Sequence, residues 1–420
     1  MTVSTVDAEV AAIPAVVRDV ELSGALPALP ATDARGRRVR QAWLVVRLFT
    51  EPLGLLALDV PEAGLSPIAL ARAVDERYGE AVRERLRGPR TQLPRYLATR
   101  AEILRDAPPV TVVVCTRERP EALARCLDSL LVQEYPRFRV LVVDNAPTST
   151  ATADVVRAKA LHGPVEYLVA REPGLSHARN AAVAAAPGEI LAWTDDDVTP
   201  DPYWLSEVAR GLAEHPEAGV VCGVVVPAEL ETPAQLWFEQ FGGHSKGRGF
   251  TPAVFSPATA HVQSPLYPLP AFGVGANMTF RPGVIESIGG FDPALGAGTR
   301  SMGSEDTLAF TQVLRAGGTI VYQPTALVRH YHRRDARSLY RQMVGYGTGL
   351  TAAYTSLLLA DPRVLVGLLR LVPTAVRDLF GAGSLRVAGL GADFPADLLR
   401  ANRRGMLRGP FAYLRSRRPR

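Results

Sequence analysis

From Val110 onward the chain alternates short apolar runs with stretches whose apolar residues recur every three or four positions. "VTVVVCT" (110–116) predicts a strand and is followed by a helical pattern over roughly 119–132. "RVLVVDN" (139–145) predicts a second strand, with a helix near 151–161 after it. "VEYLVA" (165–170) reads as a third strand, "SHARNAAVAAA" (176–186) as a helix and "EILAWTDDD" (189–197) as a fourth strand. Apolar strands separated by amphipathic helices predict a mostly parallel sheet covered on both faces, a doubly wound α/β fold. In such sheets ligands bind at the carboxyl ends of the strands. Three strands end there in polar groups: Thr116 and Arg117, Asp144 and Asn145, and Asp195, Asp196 and Asp197.

The pattern before and after this stretch is different. Residues 1–38 are rich in Ala, Pro and Val and predict a loose start. "QAWLVVRLFTEPLGLLALDV" (41–60) predicts two strands around the turn residues Pro52 and Gly54. Residues 66–87 have helical periodicity, opened by Ser66 as cap and Pro67. "DAPP" (106–109) is a boundary. The expected organisation is therefore an N-terminal extension with a small α/β module (1–105), the α/β domain (106–335) and an amphipathic helical region with a basic tail (336–420). The apolar stretch 349–380 is interrupted by Asp361, Pro362, Arg363, Arg370 and Arg377, so no run approaches the roughly 20 residues of a membrane-spanning helix. It reads as helices packed on the core or lying on a membrane surface.

With 420 residues, 47% of them hydrophobic, the chain is long enough for two or three domains. Cys115, Cys126 and Cys222 cannot all pair and form no CxxC, which fits a reducing, cytoplasmic compartment. The first 30 residues carry five charged side chains and show no secretory pattern. Net charge is +5, yet residues 401–420 alone hold seven arginines and no acid. Such a tail either meets an anionic partner, such as lipid at the inner face of the cell membrane, or is simply solvated. Without interleaved aromatics it does not read as a nucleic-acid binder.

Three consecutive carboxylates at a strand end repel one another and resist leaving water. Two explanations stand: a solvated turn in which Asp201 caps a helix with Pro202 in its first turn, or a divalent cation, which takes oxygen ligands. Asp144 can accept from a nucleobase N–H or a ribose hydroxyl. Gly174 allows close backbone approach, and Arg179 with Asn180 sits on the following helix, where an arginine suits phosphate oxygens or serves as an ordinary surface charge.

Together, "VVVCTRERPEALARCLDSLLVQEYPRFRVLVVDNAP", "GLSHARNAAVAAAPGEILAWTDDDVTPDPYWL" and "GGFDP…SED" resemble the family-2 glycosyltransferases of the GT-A fold over about Val110 to His332. The resemblance implies transfer of a sugar from a nucleotide-diphosphate sugar to an acceptor hydroxyl with inversion. It implies that Asp144 contacts the nucleobase, with Thr116, Arg117, Arg179, Asn180, Asp195 and Asp196 on the donor. It further implies Mg2+ or Mn2+ on Asp197 and Asp195, completed by His330 or, as fallback, His332. Glu305 and Asp306 are then the catalytic pair, Asp306 being the expected base; without the resemblance they read as acids favoured at a helix start.

The chain departs from the family pattern in Ser304, Leu308 and Gln312, which puts acceptor recognition in doubt. "QVLRA" (312–316) lacks the Trp of the processive motif, so single-sugar transfer is expected. Two rival readings are a sugar-nucleotide nucleotidyltransferase and a non-catalytic binding protein on the same fold. The loop "CTRERPEAL" has no glycine to cradle a triphosphate, which argues against the first. Retention of the acids argues against the second. Lipid-linked, polysaccharide and small-metabolite acceptors remain open.

Overall fold

The computed structural model describes residues 13–87, 94–245, 247–269, 271–381, 390–391 and 393–417. Parts of the expected loose start (1–12) and of the basic tail (Arg418 to Arg420) lie outside them.

The N-terminal module is more ordered than its composition predicts. β1 (Ala15–Glu21) pairs in parallel with β2 (Gln41–Leu48), which forms a hairpin with β3 (Glu51–Asp59). The hairpin does not turn at Pro52 and Gly54, which lie inside β3. It turns at Phe49 and Thr50, both with positive φ (52° and 69°), the paired left-handed geometry that matches the twist of the flanking strands. α1 (Pro67–Arg85) starts as expected, the Ser66 hydroxyl accepting from the Ala69 N–H at 3.2 Å. A further helix, α2 (Arg95–Arg105), was not expected from the pattern.

The α/β domain follows in the predicted order. It runs β4 (Val110–Thr116), α3 (Pro120–Leu130), β5 (Phe138–Asn145), α4 (Ala151–Lys159), β6 (Val165–Ala170), α5 (Leu175–Ala185) and β7 (Ile190–Asp195). Next come β8 (Val198–Pro200), α6 (Trp204–Glu214), β9 (Ala218–Pro227), α7 (Pro233–Gln240), β10 (Ala253–Phe255) and β11 (Met278–Phe280). α8 (Val284–Ser287), α9 (Glu305–Arg315) and β12 (Thr319–His330) complete the domain.

The sheet order is β10-β12-β9-β11-β7-β4-β5-β6, with β8 on β12. β7, β4, β5 and β6 are parallel, as are β9 and β12; β11 runs antiparallel between β7 and β9. Apolar side chains fill both faces, Val112, Val114 and Ala192 on one and Val113, Trp193 and Cys222 on the other. The chain leaves β4 outward through β5 and β6, then returns to β7 on the other side of β4. Their carboxyl ends are therefore a topological switch point, where such sheets open a crevice.

Ionic contacts dock the N-terminal part, two of them buried. Arg47 is buried against Asp201 and lies 3.1 Å from Asp19. Asp201 Oδ1 also accepts from the Tyr203 N–H at 3.2 Å, the contact expected of a cap, although the regular turns of α6 begin only at Trp204. Arg100 of α2 reaches the fully buried Glu207 at 3.1 Å and stacks between Tyr96 and Tyr203. A buried carboxylate held by a guanidinium and the Tyr96 hydroxyl (2.7 Å) avoids the cost of an unpaired charge.

Beyond the sheet, α10 (Ala336–Ala360), α11 (Val364–Phe380) and α12 (Ala396–Ser416) complete the structure. Most of the described tail is helix, since α12 packs along α10. Among the described residues no helix is long and apolar enough to cross a membrane. The two backbones approach so closely that a Cβ on Gly347 would stand 1.9 Å from the Asn402 carbonyl oxygen, and one on Gly405 2.2 Å from that of Val344. Within an ordinary helix Gly→Ala stabilises by up to about 1 kcal/mol. Here the obstacle is backbone, so Gly405→Ala is expected to destabilise the fold by about 1–3 kcal/mol, read from the midpoint of urea unfolding.

Candidate active site

The strand register brings the polar ends together. Thr116 of β4 lies beside Asp144 of β5, and Cys115 beside Asp195 of β7. They edge a cavity of about 450 Å³ whose lining includes Asp195, Asp196, Asp197, Glu305, Asp306 and His330. The sheet therefore collects acids that are over a hundred residues apart in sequence.

Cationic side chains are shared among these carboxylates: Arg119 meets both Asp196 and Asp197, and Arg179 faces both Glu305 and Asp195. Asp196 is buried, accepts from the Thr116 hydroxyl at 2.7 Å and pairs with Arg119. Burial nevertheless pushes its carboxyl up to about 7, with Arg119 opposing the shift. Asp197 is also buried, with Arg119 at 2.8 Å, His330 Nε2 at 3.2 Å and Arg333 at 3.7 Å. Burial raises its pKa, but His330 and the two guanidinium groups outweigh this and hold it well below the ordinary range. His330 moves up accordingly, burial opposing and Asp197 prevailing. Asp195 is the more open member, its side chain 35% exposed; burial and then the charge of Asp197 raise its pKa.

One ligand atom from each of Asp195, Asp197 and His330 lies within 4.8 Å of the others. Two carboxylate oxygens and an imidazole nitrogen suit Mn2+ or Mg2+ as a donor set. His332 is turned elsewhere: its Nδ1 lies 3.0 Å from His330 Nδ1 and its Nε2 2.7 Å from Glu239 Oε1, so it supports His330 from behind. Burial lowers its pKa. His244 joins this group through its ring, 4.3 Å from that of His330.

The acidic pair divides by environment. Glu305 is buried with its Oε1 3.0 Å from Arg179 Nη1, and burial, opposed by Arg179, pushes it up to about 7. Asp306 is half-buried and oriented by backbone. Its Oδ2 accepts from the Gly275 N–H at 2.7 Å and its Oδ1 from that of Thr307 at 2.6 Å. A Cβ on Gly275 would stand 2.5 Å from Arg179 Nη2 and 3.1 Å from Asp306 Oδ2, so any other residue would push on the guanidinium and the carboxylate.

Several expected donor contacts are placed differently. Asn180 does not line the cavity: its Nδ2 donates to the Phe291 carbonyl at 2.8 Å and its Oδ1 accepts from the Phe291 N–H at 2.9 Å, which uses up the amide. Arg179 lines the cavity but is 2% exposed and committed to Glu305, with Asp195 at 3.9 Å, so it is neither a surface charge nor open to phosphate. Asp144 is buried outside the lining, its Oδ2 accepting from the Tyr167 hydroxyl at 2.7 Å and its Oδ1 unpartnered; burial raises its pKa. Its neighbour Asn145 faces the cavity and accepts from the Gly174 N–H at 2.8 Å. Arg117 lines the cavity as expected. Arg119, in the loop "CTRERPEAL", and Arg333, directly after His332, were not expected here.

Part of the chain is similar to known proteins. Residues 111–273 match the model of glycosyl transferase family 2. A pre-mycofactocin glycosyltransferase of Mycobacterium tuberculosis is 28% identical over 243 residues, which are 57% of this chain and 46% of that protein. A succinoglycan biosynthesis protein of Rhizobium meliloti is 30% identical over 225 residues, 52% of this chain and 65% of the other. A mannosyltransferase of Pyrobaculum calidifontis, solved with GDP-Man and Mn2+, aligns with a TM-score of 0.44 and 22% identity over 83% of this chain and 82% of its own. This chain thus spans about half the length of the mycobacterial relative. By sequence, the segment 111–273 is thus that of glycosyl transferase family 2.

Proposed function

We propose that the protein transfers a single sugar, with inversion, from a nucleotide-diphosphate sugar to an acceptor hydroxyl, with Mg2+ or Mn2+ as cofactor. The observation that carries this reading is one cavity lined both by the Asp195, Asp197 and His330 donor set and by the backbone-oriented Asp306. The acceptor is a lipid-linked, polysaccharide or small-metabolite hydroxyl compound, and the unpaired cysteines suit a cytoplasmic enzyme.

Asp195 and Asp197, with His330, would hold the cation, which when bound neutralises charge on the departing nucleoside diphosphate. Thr116 and Arg119 hold Asp196 beside them, and Arg117 offers the donor a cationic side chain at the same rim. Asp144 would turn from Tyr167 to accept from the nucleobase, a role that suits its unpartnered Oδ1. On the acceptor side, Asp306 takes the hydroxyl proton as the acceptor oxygen attacks the anomeric carbon and the diphosphate leaves from the other face. Its two backbone donors fix the carboxylate without neutralising it. Glu305 keeps the buried Arg179 neutralised, and so positions the wall that carries Gly275 and Asp306.

Asp197→Asn is expected to weaken Mn2+ binding by about 100-fold or more in isothermal titration, since losing a ligand costs at least as much as losing a ligand's support. Because Asp197 is buried among three cations, the melting temperature is followed in parallel. Unchanged Mn2+ affinity in a folded variant would remove the metal assignment. Asp306→Asn should lower the turnover rate about 10²–10⁴-fold with donor affinity nearly unchanged. If Glu305→Gln alone abolishes turnover in a folded protein, the two acids exchange roles; wild-type rates in both variants would refute the assignment of this pair.

A further inference from the structure

α11 carries apolar residues on every side, yet only one side of it is covered. Val364 is buried, Leu368 packs against the cluster around Leu295 and Leu357, and Asp378 is buried with the Tyr267 hydroxyl bonded to it. The other side exposes Leu365, Val366, Leu369, Val372 and Val376, each about half exposed (49–59%). These positions fall on adjacent turns of one face. Arg363, Arg370 and Arg377 are exposed along the same helix, which has no acid before Asp378.

α12 repeats the arrangement. Leu407, Phe411 and Leu414, at i, i+4 and i+7, are 78%, 69% and 47% exposed. Arg404, Arg408, Arg415 and Arg417 are exposed between and beyond them, and residues 398–417 contain no acid. The two helices are tied together where Arg403 donates to the Leu379 carbonyl at 2.6 Å. Scattered surface leucines are ordinary, whereas eight large apolar side chains on two arginine-bearing helices are not.

We propose that the outer faces of α11 and α12 form a seat for an anionic lipid bilayer, with the apolar side chains entering the boundary between headgroups and acyl chains. The charge pattern selects this occupant: arginines beside an apolar stripe, with no acid among residues 362–377 or 398–417 and the exposed Asp397 confined to the first turn of α12, match anionic headgroups above hydrocarbon. The inference stands on this surface alone and does not depend on the transferase reading. It has a consequence for that reading, because α11 contacts the wall of the active-site cavity. Leu266 lies against Gly367 and Tyr267 bonds Asp378, while Pro268 and Leu269, next in sequence, line the cavity. An acceptor anchored in the bilayer would reach Asp306 from this side.

The test is co-sedimentation of the full chain with phosphatidylglycerol-containing vesicles, compared with pure phosphatidylcholine vesicles. Wild type should bind the anionic vesicles at low salt and bind phosphatidylcholine more weakly. Arg404→Glu and Arg408→Glu should each weaken partitioning by about fivefold or more. Leu369→Glu should weaken it by about tenfold or more. These residues are exposed, so unchanged circular dichroism is expected and loss of binding cannot be ascribed to unfolding. Asp306→Asn should sediment like wild type, which separates this surface from catalysis. Absence of wild-type binding at low salt, or equal binding by Leu369→Glu, would overturn the proposal. So would a dimer in size-exclusion chromatography that Leu369→Glu converts to monomer without vesicle binding by either protein, since the face would then join two copies.

Discussion

Crowding of like charge at the ends of β4 and β7 is the constraint on which the rest of the structure depends. Asp196, Asp197 and Glu305 are buried and Asp195 is about a third exposed, within one cavity. An unpaired buried carboxylate costs several kcal/mol, so these acids persist only because Arg119, Arg179, Arg333 and His330 converge on them. The compensation is uneven. Asp197 is held firmly ionised, whereas Asp196 and Glu305 are left near 7. A site with a firm anion beside softer ones is prepared to take up a cation without having to be built around it.

The same charges fix the architecture at longer range. Arg179 comes from α5 and Glu305 from the start of α9, so their contact joins the two halves of the cavity. Gly275 lies between them, donating to Asp306 while leaving room for the guanidinium. Behind His330, the chain through His332 to Glu239 connects the site to α7, and α10 lines the cavity through Gln342, Tyr346 and Leu350.

Strands and helices between Val110 and Asp197 were legible because apolar periodicity and parallel-sheet burial leave the same trace. The meeting of Asp195, Asp197 and His330 was legible too, since their ligand atoms lie within 4.8 Å of one another. Residues whose role depends on a partner distant in sequence were not. Asn180 looks like a ligand-binding amide until Phe291 is seen to occupy both of its ends. Arg179 looks like a phosphate contact until Glu305 arrives from 126 positions downstream. Arg119 carries no local mark of the acids, Asp196 and Asp197, that it meets from 77 and 78 positions away. The turn at Phe49 and Thr50 was missed because left-handed backbone at two non-glycine residues has no compositional mark, whereas Pro52 and Gly54 advertise a turn they do not make.

The position of β11 sets a limit on how this chain can be divided. The segment that matches the family ends at residue 273, but Met278 to Phe280 lie between β7 and β9, bonded to both. Cutting the gene at the end of the sequence match would therefore remove β11 from the middle of the sheet and β12 with it, leaving β7 a raw edge and β8, β9 and β10 without their partners, along with a buried Arg179 lacking its counter-ion. The stretch that evolution keeps recognisable and the stretch that folds are different lengths. An expression boundary drawn from similarity alone would yield an aggregating fragment; one drawn past β12 respects the sheet.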